Sequence, residues 1–371
     1  MGGIQGASLS YFLAKRGIIS TVIERVSVAS AASGKAGGFL AKTWGSSSTR
    51  QLHEKGFDLI ETVANELDIS SYRKIPTLSV THKKSTKNSD ASWLDREVSS
   101  SILDNTGNTA QISPYELTTK MMNRAIELGA ELKIGKVDGI DIKDGIIRGV
   151  HVNGETIQCD KVVLCLGPWT GVALEDWFNI KIHMDGIKST SLVYNQMPEM
   201  KTEPFACFCD DDKYGCHLEL YPRPSGELYI CGIGGSDYVS GDRLRDGGDC
   251  SSSDLILADP KRIDAGRKSF SSMSSLGDRT PDLTNACMRP CTSDSLPIMG
   301  KIPYVEGAYV SAGHNCWGIL WSCVSGKAMS ELLAEGRSST ISLEAFNPMR
   351  FMPRVDTRGR KKGDIDVGEQ W

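Results

Sequence analysis

The beginning of the chain carries glycines and a carboxylate at the spacing of a nucleotide-binding turn. Gly3 and Gly6 come before an apolar-faced helix predicted over residues 8–16, and the apolar residues 18–23 predict a buried strand that ends at Glu24. Glycines let a pyrophosphate approach the backbone, a helix N-terminus offers it N–H groups, and a carboxylate at the strand end can bind a ribose diol. Together these elements favour a dinucleotide site over a glycine-rich turn with no ligand.

One part of that nucleotide-binding unit has no residues. A full G-x-G-x-x-G motif has its first glycine two positions before Gly3, where this chain has Met1. The strand that precedes such a motif is normally central in a parallel sheet and buried on both faces. We expect an upstream extension of about ten residues to restore both features.

The composition is that of a globular protein. Of the 371 residues, 40% are hydrophobic and 24% are charged, with a net charge of −4. This balance argues against disorder and against a basic nucleic-acid surface, and no apolar run reaches the ~18 residues of a membrane span. The 11 cysteines include no C-x-x-C pair, and the histidines show no metal-ligand spacing. We therefore expect reduced, mostly buried cysteines, no metal and a cytoplasmic protein, with organelle targeting left open because the N-terminal motif is incomplete.

Helix and strand patterns alternate at both ends of the chain, with strand-rich sequence between them. Hairpins are predicted at Asp144–Gly145 and Ser225–Gly226, a buried strand over residues 161–166, and a last helix over residues 319–333. The polar residues 81–100 predict a surface excursion. This order indicates an α/β nucleotide-binding domain interrupted by an antiparallel one.

Four further segments resemble one family of flavoenzymes. They read ASGKAGGF at residues 32–39, GPW at 167–169, CMRPCTSDSLPIMG at 287–300 and GHNCWGIL at 313–320. Nearly the whole chain resembles the D-amino-acid-oxidase-like FAD-dependent oxidoreductases, which include glycine, sarcosine and fructosyl-amine oxidases. The resemblance extends to FAD oxidoreductases of fungi and plants, one of which is associated with endosome-to-Golgi recycling.

The resemblance implies a fold and a domain division. The fold is a glutathione-reductase-type Rossmann FAD-binding domain of the α/β class, interrupted by an antiparallel-sheet substrate domain of the α+β class. The implied division gives the FAD-binding domain residues 1–52, 112–180 and 285–350, the substrate domain residues 53–111 and 181–284, and a disordered tail residues 351–371.

The resemblance also implies which residues hold FAD. They are Gly3, Ile4, Gln5, Gly6, Glu24, Ser33, Gly34, Gly37, Gly38, Val137, Gly167, Trp169, Cys287, Gly313, His314, Gly318 and Ile319. A helix beginning at about Gly318 would direct its positive end at the flavin pyrimidine. For His314, a hydrogen-bonded core histidine is the alternative.

Two residues of the C-terminal block have implied roles with open alternatives. Arg289 matches the arginine that binds the substrate carboxylate in glycine and D-amino-acid oxidases. The planar guanidinium of an arginine suits a carboxylate, which it can bind through two hydrogen bonds. Its alternative is a structural pairing with Asp294 or with a backbone carbonyl. Cys287 lies five residues before Thr292, the spacing at which sarcosine and fructosyl-amine oxidases attach flavin covalently, and a buried free thiol is its alternative.

Two positions depart from sarcosine oxidase. Tyr229 stands where the resemblance expects the lysine that activates O₂, and Trp317 stands where it expects a lysine that helps to hold the carboxylate. Core packing is the equal alternative for Trp317. Tyr221 and Arg223 of the hairpin either face substrate or are ordinary cross-strand residues.

The predicted function is FAD-dependent oxidation of the C–N bond of an amine or amino-acid-like small molecule, by hydride transfer to flavin N5. Arg289, Tyr229 and Trp317 are the catalytic candidates, because this chemistry needs orientation and a neutral amine more than an acid/base pair. The electron acceptor is O₂ or another molecule. Two alternatives stay open: a flavoprotein with a mainly non-catalytic role in membrane trafficking, and a truncated, inactive product.

Overall fold

The computed structural model describes residues 1–82 and 89–352, which combine helices with five sheets. The helices are α1 Ile4–Ala14, α2 Ala32–Lys35, α3 Arg50–Glu66, α4 Pro114–Glu127, α5 Thr170–Phe178, α6 Glu199–Thr202, α7 Gly241–Leu244, α8 Pro260–Met273 and α9 Ser322–Glu335. The strands are β1 Thr21–Glu24, β2 Phe39–Ala41, β3 Arg73–Lys74, β4 Thr77–Thr81, β5 Ser99–Asp104, β6 Thr109–Gln111, β7 Glu131–Ile134, β8 Val137–Lys143, β9 Ile146–Val152, β10 Glu155–Gln158, β11 Val162–Leu164, β12 Met184–Tyr194, β13 Ala206–Cys209, β14 Glu219–Pro222, β15 Leu228–Cys231, β16 Asp237–Val239, β17 Leu283–Thr292, β18 Ile298–Lys301 and β19 Ala308–Ala312.

The parallel strands form two separate pieces of sheet. β1 pairs in parallel with β7, and β11 pairs in parallel with β19. Met1 lies at the carboxyl ends of both pieces. Its nitrogen donates to the carbonyl of Ile23 and, at 3.0 Å, to the carboxylate of Glu24. Its Sδ accepts from the N–H of Cys165 at 3.2 Å. The two carboxyl ends are therefore held at one place.

The last helix braces the first one. A Cβ at Gly326 would lie 2.1 Å from Oγ of Ser8, so only glycine allows α9 to come this close to α1. Ser8 Oγ also donates to the carbonyl of Ser322 at 2.9 Å, and Gln5 Nε2 donates to the carbonyl of Gly318 at 2.9 Å. These contacts bring the turn before α9 to the N-terminus of α1.

An eight-stranded sheet faces this assembly. Its order is β16-β12-β15-β14-β13-β4-β5, with β17 paired to β12 along its whole length. Most pairs are antiparallel, and β4 with β13 is parallel. The hairpin turn at Ser225–Gly226 is confirmed, with Gly226 at φ +92°. Its register sets Glu219 opposite Cys231 and Tyr221 opposite Tyr229, so these four side chains share one face.

The structure corrects several predicted elements. α1 begins at Ile4 rather than at residue 8. Ile18 and Ile19 are 37% and 58% exposed and lie in the irregular segment between the turn after α1 and β1. The excursion over residues 81–100 is not all surface, since Trp93 and Leu94 are buried against the eight-stranded sheet. Of the predicted tail, Phe351 ends a 3₁₀ turn, while residues 353–371 lie outside the described residues.

Candidate active site

One cavity of about 920 Å³ runs from Glu24 to the face of the eight-stranded sheet. Its walls come from the N-terminus of α1, the end of β1, the loop after α2, the turn after β11 and the segment before α9. The sheet closes it with side chains from β13, β14, β15, β12 and β17. Elements far apart in the sequence therefore meet around a single space.

The N-terminus of α1 offers an anion site at one wall of the cavity. Gly3 is the N-cap and provides no side-chain hydrogen bond, so first-turn N–H groups have no intrahelical partner. Ser33 lies in α2, and its Oγ accepts from the N–H of Ile4 at 2.8 Å. The helix dipole and these N–H groups suit a pyrophosphate.

Glu24 forms the far end of the cavity. Its carboxylate accepts from the N–H of Gly2 at 2.7 Å and from the N–H of Val26 at 2.9 Å. Burial opposes ionisation, but the neighbouring chain-terminal ammonium and these N–H groups leave the pKa of Glu24 below its usual range. Glu24 is therefore an ionised acceptor, as recognition of a ribose diol requires.

The loop after α2 passes directly beneath the sheet. A Cβ at Gly37 would lie 2.5 Å from Cδ2 of Tyr221 and 3.0 Å from Cε1 of Tyr229. Gly38 has φ +81°, and a Cβ there would lie 1.9 Å from the carbonyl oxygen of Ile112. Both positions exclude side chains, so the backbone itself forms this wall.

Aromatic rings line the end of the cavity beneath the sheet. Phe39 lies 5.0 Å from Phe208 and 5.4 Å from Tyr221, ring centre to ring centre, and stacks on the tyrosine. Trp44 lies 5.1 Å from Phe208 and 6.2 Å from Trp317. Trp317 both lines the cavity and packs on other rings, so its two interpretations coexist in the structure.

Arg289 projects into the same end of the cavity without a protein partner. Its Nε is buried and makes no hydrogen bond to the described residues. Asp294, the alternative partner considered from the sequence, is held instead by Arg350 at 2.6 and 3.0 Å. The structure therefore leaves the guanidinium available to a ligand.

Cys287 and Tyr229 are both neutral groups at this end. Burial raises the pKa of the Cys287 thiol, although the positive charges of Arg289 and Lys35 oppose the effect. Burial, together with the nearby Cys231 and Cys287, holds the pKa of Tyr229 well above its usual range. Cys287 thus lacks the lowered pKa that a thiolate needs, and Tyr229 is a phenol without the charge of a lysine.

His314 is a buried, neutral histidine. It is 2% exposed, its Nε2 lies 3.0 Å from Oγ of Ser325, and its Nδ1 has no partner among the described residues. Burial lowers the pKa of His314 to about 3. Beyond it the chain forms a 3₁₀ turn over Asn315–Trp317, and the regular helix begins at Ser322. The prediction that the helix begins at about Gly318 is therefore wrong by about one turn.

Most of the predicted site residues line the cavity. Those that do are Gly3, Ile4, Gln5, Glu24, Ser33, Gly37, Gly38, Val137, Gly167, Trp169, Tyr229, Cys287, Arg289, Gly313, His314, Trp317, Gly318 and Ile319. Gly6 and Gly34 do not; a Cβ on either would lie 2.1 Å from a backbone carbonyl oxygen, so they serve close packing. Of the hairpin pair, Tyr221 lines the cavity, whereas Arg223 lies outside its lining and pairs with Glu227 at 3.4 Å.

Sequence reasoning missed Trp44, Phe208 and Glu219, which also line the cavity. For Glu219 a signal was present. The turn at Gly226 fixes the hairpin register, and alternation then puts Glu219 on the same face as Tyr221. No comparable signal marks Trp44 or Phe208, because they approach each other from distant segments.

Other kinds of site have no support in the described part of the chain. Residues 1–82 and 89–352 contain no group of histidine, cysteine and carboxylate side chains placed to hold a metal ion. No helix within those ranges combines the length and the apolar character needed to cross a membrane. All 11 cysteines are free.

A helix N-terminus with unpaired N–H groups and a carboxylate at a strand end are features of dinucleotide-binding proteins. The protein belongs to the FAD dependent oxidoreductase (DAO) family, whose pattern matches residues 2–332. The N–H groups at the start of α1 suit the pyrophosphate of FAD, and Glu24 suits its ribose.

Two curated fungal proteins are similar to this chain. The TDA3 protein of Saccharomyces cerevisiae, named as an oxidoreductase, is 27% identical in an alignment 352 positions long, gaps included, that covers 82% of this chain. The chain spans only 64% of that protein's length. A Schizosaccharomyces pombe protein, also named as an oxidoreductase, is 25% identical in an alignment 391 positions long, gaps included, that covers 94% of this chain and 96% of that protein.

Two solved structures share the fold. L-proline dehydrogenase from P. horikoshii superposes with a TM-score of 0.75 and 20% identity, covering 94% of this chain and 96% of that chain. Glycine oxidase from Bacillus cereus gives a TM-score of 0.73 and 19% identity, covering 91% of this chain and 94% of that chain.

Proposed function

We propose that the protein binds FAD and oxidises the C–N bond of an amine or amino acid. The observation that carries this proposal is Arg289, whose buried Nε has no hydrogen-bond partner among the described residues, in the cavity of a chain that belongs to a family of FAD-dependent oxidoreductases. A buried polar group without a partner is unfavourable unless a ligand completes it. A carboxylate is the ligand whose geometry matches a guanidinium fork.

FAD would be held along the length of the cavity. The N-terminus of α1 would take the pyrophosphate, Glu24 the ribose, and the backbone around Gly37 the flavin ring. When bound, FAD would supply the acceptor for the hydride, and with it the two electrons, that leaves the substrate carbon.

The chain's own residues would bind and orient the substrate. Arg289 holds a carboxylate and so fixes the carbon that carries the nitrogen, while the rings of Phe39 and Trp44 exclude water. Neutral amine is needed, because the nitrogen lone pair stabilises the carbon as the hydride leaves. The product is an imine, which water hydrolyses to a carbonyl compound and the released amine or ammonia. O₂ or another acceptor then reoxidises the cofactor.

One further observation supports the oxidation of an amine or amino acid. The similar structures carry the names of enzymes that act on amino acids, an L-proline dehydrogenase and a glycine oxidase.

The proposed place of action is the cytoplasm. All the cysteines are free, which supports a reducing compartment.

Mixing the purified protein with a panel of amines and amino acids in the absence of O₂ tests this function. We expect a yellow protein whose visible flavin absorption is lost with at least one member of the panel. A holoprotein that no member reduces would indicate a non-catalytic flavoprotein, as in the trafficking alternative. A colourless protein that does not take up added FAD would contradict the cofactor assignment.

A further inference from the structure

A second charged group, the carboxylate of Glu219, lies in the same cavity as Arg289 and has no part in the proposed reaction. Glu219 stands in a cross-strand row between Phe208 of β13 and Cys231 of β15. Glu219 and Arg289 form no ion pair among the described residues, but their charges interact: burial acts to lower the pKa of Arg289, and Glu219 is among the neighbours that raise it. This end of the cavity therefore presents two charges of opposite sign that are not in direct contact.

The hydrogen bonds of Glu219 identify it as an acceptor that faces the cavity. The phenol of Tyr221 donates to its Oε2, and the thiol of Cys231 donates to the same oxygen at 3.3 Å. Two donors on one oxygen suit an ionised carboxylate. Oε1 makes no hydrogen bond to a described residue and is not among the buried unpaired atoms, so it is open to water or to an occupant of the cavity.

Aromatic side chains lie at the same end of the cavity as this carboxylate. Phe208 is its neighbour across the strands, and Phe208 lies 5.0 Å from Phe39 and 5.1 Å from Trp44. The negative faces of such rings attract cations, and a carboxylate beside them strengthens the attraction. Rings and carboxylate together form a subsite for a positively charged nitrogen.

We propose that the substrate is an amino acid whose side chain carries a cationic nitrogen. Arg289 would hold its carboxylate, while Glu219 and the surrounding rings would hold the side-chain cation; this inference rests on the proposed function. Glu219 would repel a substrate side chain that carries a carboxylate. An apolar side chain would displace water from Oε1 of Glu219 without replacing its hydrogen bond. A cation avoids both penalties.

Glu219 serves the side chain rather than the nitrogen that is oxidised. Oxidation needs the lone pair of a neutral amine, whereas a carboxylate in contact with an ammonium group stabilises its protonated form. Binding the reacting nitrogen to Glu219 would therefore oppose the reaction that Arg289 sets up.

The direct test compares how tightly two matched ligands bind to the holoprotein, with binding measured by calorimetry. One is γ-trimethylammoniobutyrate, and the other is its neutral carbon isostere, in which a tert-butyl group replaces the trimethylammonium group. Neither has an oxidisable primary or secondary amine, so the result does not depend on turnover. We expect the cation to bind about tenfold more tightly or better.

Three variants assign the preference to this subsite. Glu219→Gln should abolish it. Phe208→Leu, which keeps the carboxylate, should reduce it and covers the case that Glu219→Gln does not fold. Glu227→Gln is the matched control, because Glu227 belongs to the same hairpin but lies outside the cavity lining. Equal binding of the two ligands by the unaltered protein, or an unchanged preference in Glu219→Gln, would overturn the proposal.

The amine panel separates failure of this inference from failure of the proposed function. If norleucine reduces the flavin as fast as lysine does, the side-chain subsite is wrong and the amine oxidation stands. If no amine reduces the flavin, the proposed amine oxidation is wrong. The proposed substrate is then wrong as well, whatever the affinities of the two ligands are.

Discussion

Arg289 is the residue on which the proposed chemistry depends most. Its position on β17 brings it into the cavity, where its buried Nε has no hydrogen-bond partner among the described residues and Asp294 is held by Arg350. The carboxylate of Glu219 acts on Arg289 electrostatically without forming an ion pair, so donors of the guanidinium are left for a ligand. Such a group contributes binding energy when a carboxylate arrives.

Replacing Arg289 with methionine should weaken the use of amino acid substrates. Loss of a charge-assisted hydrogen bond of about 1.5–3 kcal/mol predicts a fall in kcat/KM of roughly 10- to 150-fold. The fall should be much smaller for amines without a carboxylate. Steady-state kinetics with an amino acid and its decarboxylated amine measure the difference.

Arg223→Met is the control for that experiment. Arg223 lies on the neighbouring hairpin, pairs with Glu227 and does not line the cavity. Its replacement should leave the ratio between the two substrates unchanged. Equal losses for acid and amine in Arg289→Met would argue for a structural arginine.

Cys287 should not carry the flavin covalently. Burial keeps the pKa of its thiol raised, so the nucleophilic thiolate is scarce. We predict that acid precipitation of the yellow protein releases the colour to the supernatant, and that Cys287→Ala retains FAD. Colour that stays in the pellet of the unaltered protein and is lost from that of Cys287→Ala would show attachment at this residue.

The loop after α2 is the element that sets the separation between the cofactor side and the substrate side. Gly37 faces the rings of Tyr221 and Tyr229, and Gly38 uses a left-handed conformation against the carbonyl of Ile112. Such close approach is possible only for a backbone without side chains. The loop therefore fixes how near the sheet can lie to a bound flavin.

Gly37→Ala should impair flavin binding or reduction with little loss of folding elsewhere. The added Cβ would lie 2.5 Å from Tyr221, so the ring must move within the cavity. We expect a weaker FAD affinity, measured by fluorescence titration of the apoprotein. Gly139→Ala is the control, since its Cβ would come no nearer than 3.4 Å to His151. Equal affinities in both variants would contradict this role of the loop.

Elements specified by local chemistry were predictable from the sequence. The turns at Asp144–Gly145 and Ser225–Gly226 need positive φ, which glycine and Asp tolerate, and both hairpins form there. Ile18 and Ile19 were not predictable in this way. An apolar run has no marker for where its strand starts, and pairing with β7 decides that β1 begins at Thr21.

In the candidate site, too, the residues set by local sequence were predictable and those brought together by long-range pairing were not. The predicted nucleotide end was readable because its glycines and Glu24 lie within one short helix–strand segment. The aromatic chamber was not, because Trp44 and Phe208 are brought within 5.1 Å by the parallel pairing of β4 with β13 and by the loop after β2. Long-range pairing leaves no periodic pattern in the sequence.

At the scale of the whole molecule, the cavity lies where separate apolar clusters meet. One cluster joins α1, α3, α4 and α9, another lies beneath the eight-stranded sheet with α8, and a third surrounds β11 and β19. Residues from all three regions contribute to the walls. A ligand that fills the cavity would therefore link parts of the molecule that otherwise have their own cores.

FAD should stabilise the whole protein more than FMN does. FMN lacks the adenosine part that would reach Glu24, so it forgoes the contacts at that end. At an FAD concentration about a hundred times its Kd, the expected gain is about 2.7 kcal/mol, equivalent to several degrees in Tm. Thermal unfolding of the apoprotein with each cofactor measures it. Equal shifts with FAD and FMN would contradict the assignment of the Glu24 end.

The most direct test of the account is a single-turnover experiment without O₂. The holoprotein is mixed with the best amino acid of the panel, and the loss of visible flavin absorption is compared with the carbonyl product formed in the same cuvette. The account predicts one carbonyl compound for each flavin reduced, at a rate that falls when the hydrogen on the substrate's α-carbon is replaced by deuterium. Full reduction of the flavin without carbonyl product, or a holoprotein that no amino acid or amine reduces, would contradict it.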